Sequence, residues 1–142
     1  MGGYGVRRAA FAIIAGLFAA QPLAAAEPVT GRWLTADRDA IVSIAPCGAK
    51  LCGTIARFLV APPQGDDQRD VNNRDATKRS RKLLGMPILM GFTRDGENWR
   101  GTIYDPKSGK TYRSVLQRAG ETLKVKGCVS VFCQTQTWTR AS

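Results

Sequence analysis

The sequence predicts an all-β protein, an eight-stranded up-and-down antiparallel barrel. Three observations predict this fold. The chain is a series of short extended runs, tight-turn signals separate most of them, and no segment after residue 26 keeps the apolar period of about 3.6 residues that an amphipathic helix needs. Such a barrel removes its edges by pairing the first strand with the last. A two-sheet β-sandwich is the alternative fold.

The first segment, residues 1–26, has the layout of a secretory signal peptide. Arg7 and Arg8 precede the apolar run AAFAIIAGLFAA, and the small residues Ala24 and Ala26 suit cleavage after Ala26. The run is shorter than the roughly 20 apolar residues of a transmembrane helix, although an uncleaved signal anchor is an alternative. We therefore expect a periplasmic or secreted protein, with residues 27–142 as a single β-barrel domain that is not an integral membrane protein once processed.

The predicted strands follow one another along residues 27–142. TGRWLT and AIVSIAP come first, separated by the polar ADRD, and LCGTIARFLV is third. The long polar loop 61–82 precedes MPILMGFT. Next come WRGTIYD, TYRSVLQR and TLKVKG, set off by the turns RDGEN, PKSGK and AGE, and QTQTWTR is last. In TLKVKG, Leu123 and Val125 alternate with two lysines, the pattern of a half-buried strand.

Four cysteines, Cys47, Cys52, Cys128 and Cys133, indicate disulfide bonds in an exported chain. Both pairs have the spacing Cys-x4-Cys, and we favour Cys47–Cys52 and Cys128–Cys133. Chain entropy does not choose between these and long-range pairs. CGAKLC contains a plausible turn. CVSVFC contains no turn residues. If it were one extended strand, Cys128 and Cys133 would lie on opposite faces, so a local disulfide bond there requires a turn.

The two ends of the predicted barrel, GRW at 31–33 and QTWTR at 136–140, indicate how it closes. If the first and last strands pair, Trp33 and Trp138 lie together at the base of the barrel. The Arg140 guanidinium would then lie over one of the indoles, a cation–π contact worth about 0.5–2 kcal/mol. Gly31 would leave room for the aromatic ring carried by the paired strand. We interpret these four residues as a structural closure rather than a functional site.

Several stretches resemble the exported bacterial family called domain of unknown function 2147, and more broadly the lipocalin-like (calycin) barrels. They are GRWLT, CGAKLCGTI, DVNN followed by RKLLGMPIL, WRGTIYDPKSGKTY, LKVKGC and QTWTR, and the likeness runs from about Gly31 to Arg140. The resemblance implies a secreted lipocalin-like barrel with no assigned activity. The chain departs from the family pattern at Arg74, where a proline is expected after DVNN.

Residues that carry catalysis or bind metal are scarce. The chain has no histidine, which excludes Ser-His-Asp and Cys-His schemes and weakens any metal site. The carboxylates of loop 61–82 alternate with cations that keep them ionised, and DDQRDVNNRD misses the calcium-loop spacing. The plainer interpretation of this loop is a solvated segment with Asx-type turns at Asp70 and Asn73. We expect no catalytic residue, cofactor or metal, while an enzyme that uses Asp70 or Asp105 is a third hypothesis.

A small, partly apolar or amphipathic ligand is the partner that a barrel of this size suits best, because eight strands either fill with side chains or hold one small ligand. If Trp138 faces inward, two-residue alternation puts Gln134, Gln136 and Arg140 on the same face, and buried amides need polar partners. Two tyrosines flank the DPKSGK turn and are placed at one mouth. The expected ligand-binding residues are Asp70, Asn73, Arg81, Tyr104, Asp105, Tyr112, Gln134 and Gln136.

The alternative function is contact with an anionic component of the cell envelope through a cationic surface, with the barrel filled. Without Arg7 and Arg8, 19 basic and 11 acidic residues remain, a net charge of about +8 that favours acidic partners. A soluble domain with a merely cationic surface is the plainer interpretation. The basic run KRSRK at 78–82 lacks interleaved aromatic residues, so we expect no nucleic-acid partner.

Overall fold

A computed structural model describes residues 2–3, 5, 10–20 and 26–142 of the chain. The expected signal peptide lies partly outside them, since Arg7, Arg8 and Ala24 are not described. The described residues 10–20 form no helix or strand, and their large apolar side chains are exposed. In the described parts of the chain, no helix has the length and apolar character to cross a membrane. Signal-peptide cleavage stays a prediction.

Eight antiparallel strands form a closed barrel in which each strand pairs with the next and the last pairs with the first. The strands are β1 (Gly31–Leu34), β2 (Ala40–Cys47), β3 (Lys50–Phe58), β4 (Pro87–Asp95), β5 (Asn98–Asp105), β6 (Lys110–Ala119), β7 (Thr122–Val129) and β8 (Phe132–Arg140). The barrel predicted from the sequence is confirmed, and the β1–β8 pairing excludes the open sandwich. The main difference is that β8 begins at Phe132, before the expected run QTQTWTR.

The alternating strand directions give the barrel two distinct ends. Residues 27–30, the turns after β2, β4 and β6, and the C-terminus lie at one end, called here the closed end. The β1–β2 turn, the long loop 59–86, the β5–β6 turn and the β7–β8 turn lie at the other, called the mouth end. Any site built from these loops therefore has to form at the mouth end.

The interior towards the closed end is filled by apolar side chains. Those less than a tenth exposed on the strands include Trp33, Val42, Ile44, Ile55, Leu89, Phe92, Leu116, Leu123, Val125 and Trp138. In β7 the expected alternation is present, because Leu123 and Val125 are buried while Lys124 and Lys126 are exposed. Burial of such side chains is worth about 1.5–3 kcal/mol each and dominates the stability of a barrel this size.

Cations cover the indole of Trp33 at the closed end. The Arg140 guanidinium carbon lies 5.0 Å from the ring centroid and that of Arg118 lies 5.6 Å away, while the indole N–H donates to the Val29 carbonyl at 2.8 Å. A Cβ on Gly31 would lie 2.6 Å from Arg140 Nη1. Gly31 therefore leaves room for the guanidinium and not for an aromatic ring, which corrects the expectation from the sequence.

Both local disulfide bonds are present. Cys47 pairs with Cys52 at the closed end and Cys128 with Cys133 at the mouth end, with Cα atoms 5.8 and 4.1 Å apart. The turn that CVSVFC was required to contain forms at Ser130, whose φ of 53° is unusual for a residue other than glycine. The turn brings both cysteines to the same register position of β7 and β8.

The seam between β1 and β8 is short. β1 pairs with Thr139 and Arg140 alone among the residues of β8. The preceding part of β8, residues 132–138, pairs with β7 and has no strand on its other side within the described chain. The β7–β8 hairpin therefore extends past the end of β1 at the mouth.

Candidate functional site

The carboxylate of Asp70 is the centre of a buried polar cluster at the mouth end. Tyr104 Oη donates to Asp70 Oδ1 at 2.5 Å. Asn73 Nδ2 and Arg81 Nη2 donate to Asp70 Oδ2 at 2.8 and 3.1 Å. The Asp70 residue is only 1% exposed. Three donors thus compensate for the cost of burying a charged group.

The loop 59–86 folds back on itself to bring these residues together. Asp70 N–H donates to the Arg81 carbonyl at 2.9 Å, and an isolated bridge pairs Arg69 with Lys82. The Asn73 side chain accepts from Asp75 N–H, which is the Asx-type turn expected there. Asp70 forms no such turn and is buried with Asn73, so the interpretation of this part of the loop as solvated was wrong.

Close contact with the β5–β6 turn fixes the loop on the barrel. Asn72 Nδ2 donates to the carbonyls of Pro106 and Lys107 at 3.1 and 3.2 Å. Gly109 has a φ of +69°, and a Cβ there would lie 1.8 Å from the Asn72 carbonyl oxygen. Only glycine permits this approach of two backbones. The apolar side chains of Leu83 and Met86 anchor the end of the loop in the core.

Tyr104 is held in its neutral form by this environment. Burial and the hydrogen bond to Asp70 raise the pKa of its phenol to about 12. Removing the phenol proton would leave two negative oxygens in contact. At neutral pH Tyr104 is therefore a hydrogen-bond donor to Asp70 and not a base.

A cleft of about 780 Å³ lies beside the cluster, between the loop 59–86 and the ends of β4 to β7. Its lining residues are Asn73, Arg74, Asp75, Lys78, Arg81, Pro87, Met90, Tyr104, Gly109, Lys110, Thr111, Tyr112 and Val129. Four of these are cations and one is an acid. Arg81 pairs with Asp70, and Lys78 lies 4.0 Å from Asp75. In contrast, Arg74 and Lys110 form no ion pair within residues 26–142.

The structure brings together five of the eight expected binding residues. Asn73, Arg81, Tyr104 and Tyr112 line the cleft, and Asp70 lies directly behind Tyr104. Their role in binding stays a prediction.

The other three expected residues do not line the cleft. Asp105 stabilises the β5–β6 turn, since its side chain accepts from Lys107 N–H and its carbonyl from Gly109 N–H. Gln134 and Gln136 are exposed, so the expectation of buried amides was wrong. They lie on the part of β8 that β1 is too short to cover. Gln136 instead accepts a hydrogen bond from the Trp138 indole at 3.2 Å.

Other lining residues were not identified from the sequence. The cations are Arg74, Lys78 and Lys110, and the apolar residues are Pro87, Met90 and Val129. Lys78 belongs to the basic run 78–82, and Lys110 lies two positions before Tyr112. The sequence therefore contained a weak indication that both belong to the site. Among the described residues, no group of three or more cysteine, aspartate or glutamate side chains is arranged to hold a metal ion.

Comparisons with known proteins agree with the barrel fold. Residues 31–140 match the model of a family described as "Uncharacterized protein conserved in bacteria (DUF2147)". Among solved structures, a similar one is protein HP1028 from Helicobacter pylori, described as belonging to the lipocalin family. It is 19% identical, the match covers 81% of this chain and 84% of that chain, and the TM-score is 0.70. At this identity the likeness shows the fold alone. No curated protein matches the chain.

Proposed function

The chain belongs to the DUF2147 family of uncharacterised bacterial proteins, and we propose that it binds a small amphipathic anion without catalysing a reaction. The observation that carries the proposal is the mouth cleft of about 780 Å³, where four cations meet apolar and aromatic side chains. Its volume lies in the range of about 300–1,000 Å³ that is usual for small-molecule sites.

The charge of the cleft favours a carboxylate, sulfate or phosphate group. Arg74 and Lys110 are the best candidates to bind it, because neither forms an ion pair with an acid among residues 26–142. A ligand anion would supply the charge-assisted hydrogen bonds that these side chains lack. Arg81 is already committed to Asp70 and would orient the loop.

The apolar part of the ligand would lie on Met90, Val129 and the ring of Tyr112. A second cleft, at the closed end between the β2–β3 turn and the adjoining ends of β4 and β5, is about half as large, at about 370 Å³. A ligand of modest length is therefore held at the mouth, with part of it in contact with solvent.

A binding role agrees with the state of the acidic groups. Asp70 accepts from three donors and Tyr104 is a neutral phenol at physiological pH. A general base needs a free lone pair facing the substrate. The two disulfide bonds and the signal-like N-terminus support action in the periplasm or the medium.

The first experiment is calorimetric titration of the protein with decanoate and with decanol, which share the chain and differ in charge. We expect decanoate to bind and added salt to weaken it, because exposed ion pairs are screened. The double variant Arg74→Gln/Lys110→Gln should lower decanoate affinity about tenfold, since two partly exposed ionic contacts are worth about 1.4 kcal/mol together.

The matched control is Lys50→Gln, which removes an exposed lysine on the closed-end side of β3 and should leave affinity unchanged. Equal affinity for decanoate and decanol, or no effect of the double variant, would contradict the proposal. Native mass spectrometry of gently purified protein provides a second readout: a discrete extra mass that denaturation removes would identify the natural ligand.

A further inference from the structure

The β7–β8 hairpin carries an exposed apolar tip. Val131 is 83% exposed, Phe132 79% and Val129 59%. In residues 26–142, every large apolar side chain that is strongly exposed lies on or beside a mouth-end loop; these are Leu59, Val60, Val71, Val129, Val131 and Phe132. The closed end has none within the same residues. A segregated apolar surface of this kind marks a contact with another molecule or phase.

The tip is held in its exposed position by covalent and polar contacts. The Cys128–Cys133 disulfide bond joins the two strands at its base. Arg113 Nη2 donates to the carbonyl of Ser130 in the turn. Because the hairpin is already ordered, insertion of the tip would cost little conformational entropy.

The strands that carry the tip, together with β6, are cationic. β6, β7 and β8 contain no acidic residue and six cations, namely Lys110, Arg113, Arg118, Lys124, Lys126 and Arg140, of which Arg118 and Arg140 cover Trp33 at the closed end. Arg113 contacts the turn itself, and Lys110 shares the cleft with Val129. Lys124 and Lys126 are exposed along β7. The apolar side chains thus lie at the tip of the hairpin, and the positive charges lie further along the strands, away from the tip.

We propose that this hairpin docks the protein on the surface of an anionic lipid bilayer. Val131 and Phe132 enter the boundary between headgroups and acyl chains, and Arg113 and Lys126 face the lipid phosphates. Interfacial binding of this kind combines buried apolar area with attraction to anionic lipids. The tip is a protruding turn rather than a groove, which suits a deformable lipid surface better than a shaped protein partner.

The proposal is independent of the mouth-cleft ligand, although docking would turn the cleft towards the bilayer. Its test is co-sedimentation with vesicles of phosphatidylcholine containing phosphatidylglycerol, against vesicles of phosphatidylcholine alone. All forms are made as the full chain and their N-termini determined by intact mass, so the apolar N-terminal segment contributes equally. We expect binding to the anionic vesicles that falls as salt is added.

The variant Val131→Ser/Phe132→Ser should lower partitioning into anionic vesicles about tenfold, because it removes most of the apolar area that enters the interface. The control Ala49→Ser/Ala119→Ser changes two exposed closed-end positions, one in the β2–β3 turn and one at the end of β6, and should not alter it. Circular dichroism and the decanoate titration check that both variants keep their fold.

Two outcomes would overturn the proposal. One is equal sedimentation of the hairpin variant and the wild type. The other is equal binding to neutral and anionic vesicles, which would remove the role of the cations. Because decanoate binding is measured on the same variants, failure of membrane docking and failure of the ligand cleft can be told apart.

Discussion

At the scale of single residues, Tyr104 connects the barrel to the loop that covers its mouth. It is a residue of β5, while its partner Asp70 belongs to the loop 59–86, and the two oxygens are 2.5 Å apart. Burial and this bond raise the pKa of the phenol to about 12. The contact therefore links the position of the loop to a proton that is lost only at high pH.

Stability should fall at high pH because of this one tyrosine. Its pKa rises from 10.0 in the unfolded chain to about 12 in the folded protein, so the folded state holds the proton more strongly between these values. The stabilisation is complete below pH 10 and is lost as pH rises towards 12, by at most about 1.4 kcal/mol per pH unit. Urea unfolding across this pH range, with wild type and Tyr104→Phe compared, measures it.

We expect the advantage of wild type over Tyr104→Phe to be about 1–3 kcal/mol below pH 10, because the substitution leaves Asp70 one donor short. This advantage should shrink above pH 10. The control is Tyr112→Phe, which removes a hydroxyl from the same cleft without touching Asp70. A difference between wild type and Tyr104→Phe that stays constant with pH would refute the assignment.

At the scale of elements, the loop 59–86 is ordered although it contains only two single-turn 3-10 helices, Gly65–Asp67 and Ala76–Lys78. Side chains replace the regular backbone pattern. Lys82 Nζ lies 2.7 Å from Asp67 Oδ1, Asn72 is bonded to the β5–β6 turn, and Asp70 receives three donors. The cleft depends on this order, because several of its cations belong to the loop.

Asp70→Asn should loosen the loop without unfolding the barrel. The new amide replaces one acceptor oxygen by a donor, so at least one of Tyr104, Asn73 or Arg81 loses its partner. We expect amide hydrogen exchange across residues 68–83 to accelerate about tenfold or more, since an unmet buried donor costs about 1–3 kcal/mol. Hydrogen-exchange mass spectrometry measures this, with β7 as an internal reference that should not change.

The matched substitution is Asp66→Asn, an exposed carboxylate of the same loop that makes no hydrogen bond or ion pair to another side chain in the described part of the chain. Its exchange rates should match those of the wild type. If Asp70→Asn behaves like Asp66→Asn, the cluster does not hold the loop.

At the scale of the whole molecule, the two ends of the barrel differ. Trp33, Arg140 and Arg118 lie together at the closed end, while the cleft and the apolar hairpin tip lie at the mouth. The seam between β1 and β8 involves two residue pairs. Barrel closure therefore depends strongly on the contacts around Trp33.

Gly31→Ala should destabilise the whole barrel. Alanine is strained at a φ of +125°, and its Cβ would lie 2.6 Å from Arg140 Nη1. Backbone strain of about 1–2 kcal/mol, together with displacement of the Arg140 guanidinium from Trp33, a contact worth about 0.5–2 kcal/mol, suggests a total loss of about 1.5–4 kcal/mol. Equilibrium unfolding in urea measures the loss.

The control for this prediction is Gly96→Ala, at a φ of +61° with open space around the added Cβ, where we expect a loss of about 1 kcal/mol. A loss at Gly31 no larger than at Gly96 would mean that contact with Arg140 does not limit closure. In Gly31→Ala/Arg140→Ala the two losses should not add, because removing the guanidinium relieves the crowding.

The sequence alone was enough to predict the number and order of the strands and both local disulfide pairs. Strand alternation, tight turns and short cysteine spacings are local patterns, so neighbouring residues encode them. The contact between the two ends, Trp33 with Arg140, was also predictable because an up-and-down barrel has one way to close. The sequence pattern wrongly predicted that Gly31 leaves room for an aromatic ring, whereas it leaves room for the Arg140 guanidinium. Two-residue alternation does not show how close two side chains come.

Only the tertiary structure decided which polar residues are buried and where the cleft lies. Asp70 is part of a polar, charged stretch that reads as solvated, yet it is buried because Tyr104, Asn73 and Arg81 converge on it from separate positions. Gln134 and Gln136 have the alternation of inward residues, yet they are exposed because β1 ends at Leu34 and leaves that part of β8 uncovered. The physical reason is the same in both cases: alternation assigns a side chain to a face, while burial depends on which distant segment covers that face.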